Sequence, residues 1–301
     1  MAWQETLARL RLAEFATSTL MLVVSLIISL AGLYQRDLLV VAIPLDDGKT
    51  VFVRDPSVNL PSSISKVRRR RRPTMQWLIR TMVAVPMYLA VILSYGIPVL
   101  VHVLLQCKQR IAHDTRDFFL SLFVSSAICQ LATNIMKNLA GRFRPSFYSM
   151  CKWNTSVVWD GVTNLCTDKH GETEGRKSFP SGHASTAFST LFFLSLYLLG
   201  RFHVVALHKY SATSTAGRHF LANVKFFIAF LPTVLAIWIA VTRSMDNWHH
   251  YSDIAAGAFI GIVSAVLGYA YNYASLFKYK SSGLPLETYH EQKIAKSDSH
   301  E

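Results

Sequence analysis

At 301 residues and 33.9 kDa the chain has 16% charged residues, well under the roughly 25% of ordinary globular chains, beside 51% hydrophobic residues and a mean hydropathy of +0.28. So much apolar surface excludes disorder, and 14 Gly with 10 Pro and no triplet repeat exclude a collagen-like chain. A net charge of +13 is open to nucleic acid, anionic lipid or an anionic substrate until the charges are placed.

Six stretches free of Asp, Glu, Lys and Arg are long enough to cross a bilayer, which takes roughly 17–25 apolar residues, and backbone satisfaction in lipid makes each a helix. Phe15–Gln35 follows MAWQETLARLRLAE with no small-residue cleavage site and reads as a retained signal anchor. The loop behind it holds the run Arg68–Arg72, open as a solvated charge run, a contact with anionic headgroups or a site for basic-specific proteases. Thr81–Cys107 is the second span, with Pro86 and Pro98 predicted to kink it. Phe118–Met136, the third, ends in KNLAGRFRP, where Lys137, Arg142 and Arg144 crowd the membrane interface. The next loop carries the sequon Asn154-Thr155-Ser156 and two cysteines, Cys151 and Cys166, which either close a disulfide in an oxidising compartment or stay free thiols. GRKSFPSGHAS leads into the fourth span, Ala184–Gly200. TRSMDNWHHYSDI joins the fifth, Phe226–Thr242, to the sixth, Ile254–Phe277. There Gly257-Ala-Phe-Ile-Gly261 is a GxxxG pattern for internal packing or dimerisation. The tail after Phe277 is polar and is expected to be disordered.

The expected fold is all-α, a six-span transmembrane helical bundle with its active site at one membrane face. Residues 1–14 form an N-terminal cytosolic segment, 15–277 the membrane domain and 278–301 a polar cytosolic tail. An even number of spans puts both termini on one side and the three polar clusters on the other. A plain count of Lys and Arg places the cluster side in the cytosol. The sequon and the loop cysteines place it in the lumen or outside the cell, at the plasma membrane or an internal membrane, and that orientation is adopted. With no nucleic-acid reader motif among the spans, nucleic acid is excluded as a partner. A homo-oligomer stays open.

Together the clusters describe a site for a multiply charged anion. Lys137, Arg144 and Arg243 sit at the interface ends of three spans, where a lone cation is ordinarily a snorkelling anchor. Converging, they can bind phosphate oxygens, arginine through its planar fork and lysine as a point charge. Ser181 and Gly182 precede the fourth helix, whose unpaired N–H groups attract anions. His183 stands beside them. His249 and Asp253 are four apart, so that on one helix face the carboxylate can hold an imidazole nitrogen. An oriented imidazole can attack phosphorus, and a second histidine can protonate the leaving oxygen. No compact carboxylate cluster lies in these loops to hold a divalent ion.

The sequence resembles the lipid phosphate phosphatases of the type 2 phosphatidate phosphatase superfamily. Its three motifs are matched by Lys137 to Arg144-Pro145, by Pro180-Ser181-Gly182-His183, and by Arg243, His249 and Asp253, with Thr242 where the family usually has Ser. The resemblance implies His249 as nucleophile, Asp253 as its orienting partner and His183 as acid and base. It implies phosphate binding by Lys137, Arg144, Ser181, Gly182 and Arg243, no cofactor and no magnesium requirement. The implied substrates are membrane lipid phosphate monoesters: phosphatidate, lysophosphatidate, sphingosine 1-phosphate and ceramide 1-phosphate. A phosphotransferase similar to the sphingomyelin synthases and a non-catalytic lipid-binding relative are the alternatives.

Overall fold

The computed structural model describes residues 11–30, 40–44, 50–54, 85–154, 156–157, 163–205, 216–278 and 280–297. In chain order its elements are α1 (Leu12–Leu30), β1 (Val40–Pro44), β2 (Thr50–Arg54), α2 (Met87–Lys108), α3 (Asp114–Ala140), α4 (Phe147–Met150) and α5 (Lys169–Gly175). Then come α6 (Gly182–Arg201), α7 (Ala216–Met245), α8 (Tyr251–Asn272) and α9 (Leu286–Ser297). Six of these helices are long and apolar enough to cross a membrane, as expected, and the protein is an integral, multi-pass membrane protein. Outside the all-helical reading lies a two-stranded antiparallel hairpin, β1 with β2, in register from Val40↔Arg54 to Pro44↔Thr50. The Arg68–Arg72 run lies outside the described residues.

α6 is the hub. Of its span 78% is buried, against 11% of the peripheral α1. A helix wrapped in other helices can be less apolar than one facing lipid, because polar side chains find partners. Gln130 donates to Thr186 Oγ1 at 2.8 Å, Thr133 to Ser185 Oγ at 3.0 Å, and Thr233 to Ser195 Oγ at 2.8 Å. The middle of α6, Phe188–Phe192, is a π-helical turn, which shifts the ladder of backbone bonds. There Ser125 Oγ of α3 donates to the Ser189 carbonyl at 2.8 Å.

α8 reaches this hub through missing side chains. A Cβ on Gly257 would stand 2.4 Å from the Ser181 carbonyl oxygen, and one on Gly261 2.6 Å from that of Ser185. The GxxxG face is therefore filled by α6 of the same chain and is not free for dimerisation. Apolar packing fills the rest, with Phe118, Phe193, Tyr197 and Tyr269 at the terminal end and Phe188, Leu191 and Ile239 nearer the clusters.

Four sequence expectations are corrected. α3 begins at Asp114, four residues before the charge-free run, because Asp114 and Asp117 are buried with hydrogen-bond and ion-pair partners. Asp114 accepts from Tyr197 and Tyr273 at 2.7 and 2.8 Å, with Arg201 3.4 Å away, and Asp117 pairs with Arg11 and Arg116. Pro86 caps α2 and does not bend it; Pro98 lies inside the helix. α8 stops at Asn272, after which Tyr273 pairs with Pro285 in an isolated bridge. The tail is ordered as far as α9, which docks on the start of α3 through Arg116–Glu287 and a Thr288 hydroxyl donating to the Ala112 carbonyl at 3.0 Å. Its anchors are polar, so hydropathy could not flag them.

Candidate active site

Three segments meet at one end of the bundle. The first is the C-terminus of α3. Lys137 is in its last turn, and the helix stops at Gly141 in the left-handed region, φ 53°. That conformation suits glycine and turns the chain back over the helix end. Arg142 and Arg144 then run beside the residues before α6: Ser178 N–H donates to the Arg142 carbonyl at 3.0 Å, and Arg144 N–H to the Gly175 carbonyl at 2.7 Å. Arg144 thus stands in a loop, not at a helix end. Its Nε donates to the Glu174 carbonyl at 2.9 Å, its guanidinium lies 4.6 Å from the Trp248 ring centre, and its buried Nη1 has no hydrogen-bond partner. Burial pushes Arg144 down to about 10, with Glu174 and Asp253 opposing the shift, so it remains a cation at neutral pH.

The second segment supplies the helix start. Ser181 caps α6, and its own N–H donates to the Asp253 carbonyl at 2.9 Å. A Cβ on Gly182 would lie 3.5 Å from Lys137 Nζ, so the lysine ammonium sits against this backbone. His183, in the first turn, has a buried Nε2 without a partner and lies within electrostatic reach of Arg243, His249, Lys137 and Arg144. Glu174 sits among the cations. Burial pushes its carboxyl up, but the 2.7 Å bond from Lys177 and the charges of Lys177, Arg144 and Lys137 hold it below its ordinary value.

The third segment is the corner between α7 and α8. Arg243, in the last turn of α7, is buried and pairs with Asp246 at 3.1 Å. His250 caps α8 in a reciprocal capping box with Asp253: the Asp253 carboxylate accepts from the His250 N–H at 3.0 Å. His249 therefore precedes the helix and shares no face with Asp253. Its Nδ1 lies 3.8 Å from the carboxylate and 2.7 Å from the Ser178 carbonyl oxygen. A carbonyl only accepts, so Nδ1 carries the hydrogen and the Nε2 of the neutral ring keeps the lone pair. Burial pushes His249 down to about 4, the charges of Arg144 and Lys137 adding to the shift and Asp253 opposing it.

The residues singled out in the sequence are thus brought together: Lys137, Arg144, Ser181, Gly182, His183, Arg243, His249 and Asp253. Ser178, Glu174 and Trp248 were missed, and Arg142 was named without a role. Ser178, Trp248 and Arg142 had no local signature, since their partners lie on other segments, and the local Glu174–Lys177 pair reads as an ordinary surface ion pair. Beside the site Cys151 and Cys166 form a disulfide with their Cα atoms 5.1 Å apart. Asn154 is half-buried, its Oδ1 accepting from the Ser156 N–H at 3.0 Å.

A PA-phosphatase related-family protein of Dictyostelium discoideum is 34% identical over 67% of this chain and 65% of its own length. Lipid phosphate phosphatase 1 of Arabidopsis thaliana is 33% identical over 62% of this chain and 54% of its own. Diacylglycerol pyrophosphate phosphatase 1 of Saccharomyces cerevisiae is 30% identical over 50% and 53%. The chain spans between half and two thirds of the length of these curated relatives. No solved structure matches. The PAP2 superfamily profile matches residues 118–276, just over half of the chain and all three segments of the site, and the chain belongs to that superfamily.

Proposed function

We propose that the protein is a membrane phosphatase that hydrolyses lipid phosphate monoesters, with phosphatidate, lysophosphatidate, sphingosine 1-phosphate and ceramide 1-phosphate as its substrate class. The observation that carries this reading is the buried His249, whose Nδ1 hydrogen is committed to a backbone carbonyl, set among Lys137, Arg144 and Arg243. Nε2 attacks phosphorus; the bond from phosphorus to the lipid oxygen breaks, and His183 gives that oxygen a proton. Water then attacks the phosphohistidine, His183 takes a proton from it, and inorganic phosphate leaves with His249 restored. The three cations, the Ser181 hydroxyl and the Gly182 N–H hold the phosphoryl oxygens, with Arg144 Nη1 as a donor in reserve.

This electrostatic work needs no metal. Among the described residues, the group with spacing for a cation is His113, Glu287 and Glu291, at the opposite end of the bundle. The orientation with the site facing the lumen or the cell exterior is supported by the Cys151–Cys166 disulfide, which persists in an oxidising compartment.

The test is phosphate release by purified protein from a panel of lipid phosphates with EDTA present. Metal-independent release from the lipid panel is expected. Activity that EDTA removes and magnesium restores would overturn the metal-free mechanism. Release from soluble sugar phosphates alone would overturn the substrate class.

A further inference from the structure

His249 donates its Nδ1 hydrogen to the Ser178 carbonyl, while the carboxylate four residues on lies 3.8 Å from that nitrogen. Ser178 is fully buried and makes three contacts of consequence. Its N–H donates to the Arg142 carbonyl at 3.0 Å, its hydroxyl donates to Asp253 Oδ2 at 2.6 Å, and its carbonyl receives His249 Nδ1–H at 2.7 Å. Arg142 closes the circuit, its Nη1 donating to Asp253 Oδ1 at 2.7 Å and to Ser252 Oγ at 2.7 Å. Asp253 is thus held on one oxygen by Arg142 and on the other by Ser178 and the His250 N–H.

We propose that Ser178 and Arg142 are the positioning residues of the nucleophile: they form with Asp253 a closed frame that sets the tautomer and heading of His249. The inference rests on the phosphatase reading with His249 as nucleophile. Its physical basis is that a backbone carbonyl cannot donate. While the frame keeps that carbonyl against Nδ1, the only lone pair in the ring plane is on Nε2. Without the Ser178 hydroxyl or the Arg142 guanidinium, the segment carrying the carbonyl can move. The hydrogen then redistributes between the two nitrogens. Misplacing a reacting group by about 1 Å costs on the order of 100-fold in rate.

The experiment uses the full chain with Ser178→Ala, Ser178→Thr and Arg142→Met, and reads four quantities. These are kcat and KM on phosphatidate, the phosphohistidine isomer by phosphorus NMR of acid-quenched-free, denatured phosphoenzyme at alkaline pH, vanadate affinity, and melting temperature. In the parent the phosphoryl group is expected on Nε2 alone. Ser178→Ala and Arg142→Met should lose about 10- to 100-fold in kcat with KM and vanadate affinity nearly kept, and should show Nδ1 phosphohistidine beside the Nε2 form. Ser178→Thr, which keeps the hydroxyl, should recover most of the rate. Parent-like kcat and a single isomer in both Ser178→Ala and Arg142→Met would overturn the frame. So would losses that follow melting temperature and vanadate affinity in proportion, since those describe a merely structural residue. A parent protein that releases no phosphate from any lipid overturns the phosphatase reading itself, a result separate from parent turnover with indifferent variants.

Discussion

His249 and His250 are adjacent, yet their surroundings assign them different work. His249 is buried against the Ser178 carbonyl, and His250 caps α8. His249→Ala should abolish both turnover and a trappable phosphoenzyme. His250→Ala should cost about 1 kcal/mol as a lost cap and slow the reaction, while phosphoenzyme still forms. Radiolabelled phosphate trapped on each variant checks this; label lost from His250→Ala but kept by His249→Ala places the nucleophile one residue on. Acidity offers a second test. An imidazole in the unfolded chain titrates near 6.5, whereas burial pushes His249 down to about 4. Between those values the unfolded chain binds a proton that the native protein does not, so this residue makes stability fall as pH drops from about 6.5 toward 4. Melting temperatures across that range should show a steeper acid loss in the parent than in His249→Ala. Equal slopes would mean that the imidazole is not held neutral by its surroundings.

At the level of helices, the contact between α6 and α8 positions the chemistry. Gly257 lets α8 approach until the Asp253 carbonyl accepts from the Ser181 N–H at 2.9 Å, joining the second and third segments of the site. The group that a Cβ would meet, the Ser181 carbonyl, is backbone and cannot swing aside. Gly257→Ala should therefore destabilise the protein by about 1–3 kcal/mol, as overpacking does, and reduce kcat. Gly96 in α2 is the control, since nothing lies within 4 Å of a Cβ built there. Gly96→Ala should leave kcat unchanged and raise the melting temperature slightly, because alanine is the better helix former. Similar behaviour of the two variants in thermal unfolding and turnover would show that the close approach is not what sets the site.

Across the whole molecule, polarity is divided between two ends. One end holds the cations and histidines of the candidate site; the other holds the buried Asp114 and Asp117, tied to Arg116 of their own helix and to Arg11, Arg201, Tyr197 and Tyr273 from three other parts of the chain. Orientation in the membrane follows from which end meets the cytosol. With the site outside the cytosol, Asn154 should carry an endoglycosidase-sensitive glycan that Asn154→Gln removes, and Cys151 and Cys166 should resist thiol labelling until reduced. An epitope inserted near Asn154 gives the decisive reading in protein shown to be at the cell surface. If antibodies reach it only after permeabilisation, the site faces the cytosol and the Lys and Arg count was the better guide.

The six spans, their order and the three clusters at one face were legible in the residues, because lipid imposes length and excludes charge along a single stretch of chain. The same rule shortened α3, since a charge-free window cannot see that Asp114 is hydrogen-bonded by Tyr197 and paired with Arg201 far along the chain. The residues that the fold brings together at the candidate site were legible too, carried by motifs with fixed spacing. Which of them touch was not. Proximity in sequence suggested that Asp253 holds His249; in the fold the nearest partners of Asp253 are its own helix cap, Arg142 and Ser178, and His249 Nδ1 stands 3.8 Å from the carboxylate and 2.7 Å from the Ser178 carbonyl. Those bonds join residues 71, 75 and 111 positions apart, and a hydrogen bond across that distance leaves no periodicity or local composition to read. Only the packing of α8 onto α6 brings the partners within reach, and that approach depends on two glycines whose role is the space they leave empty.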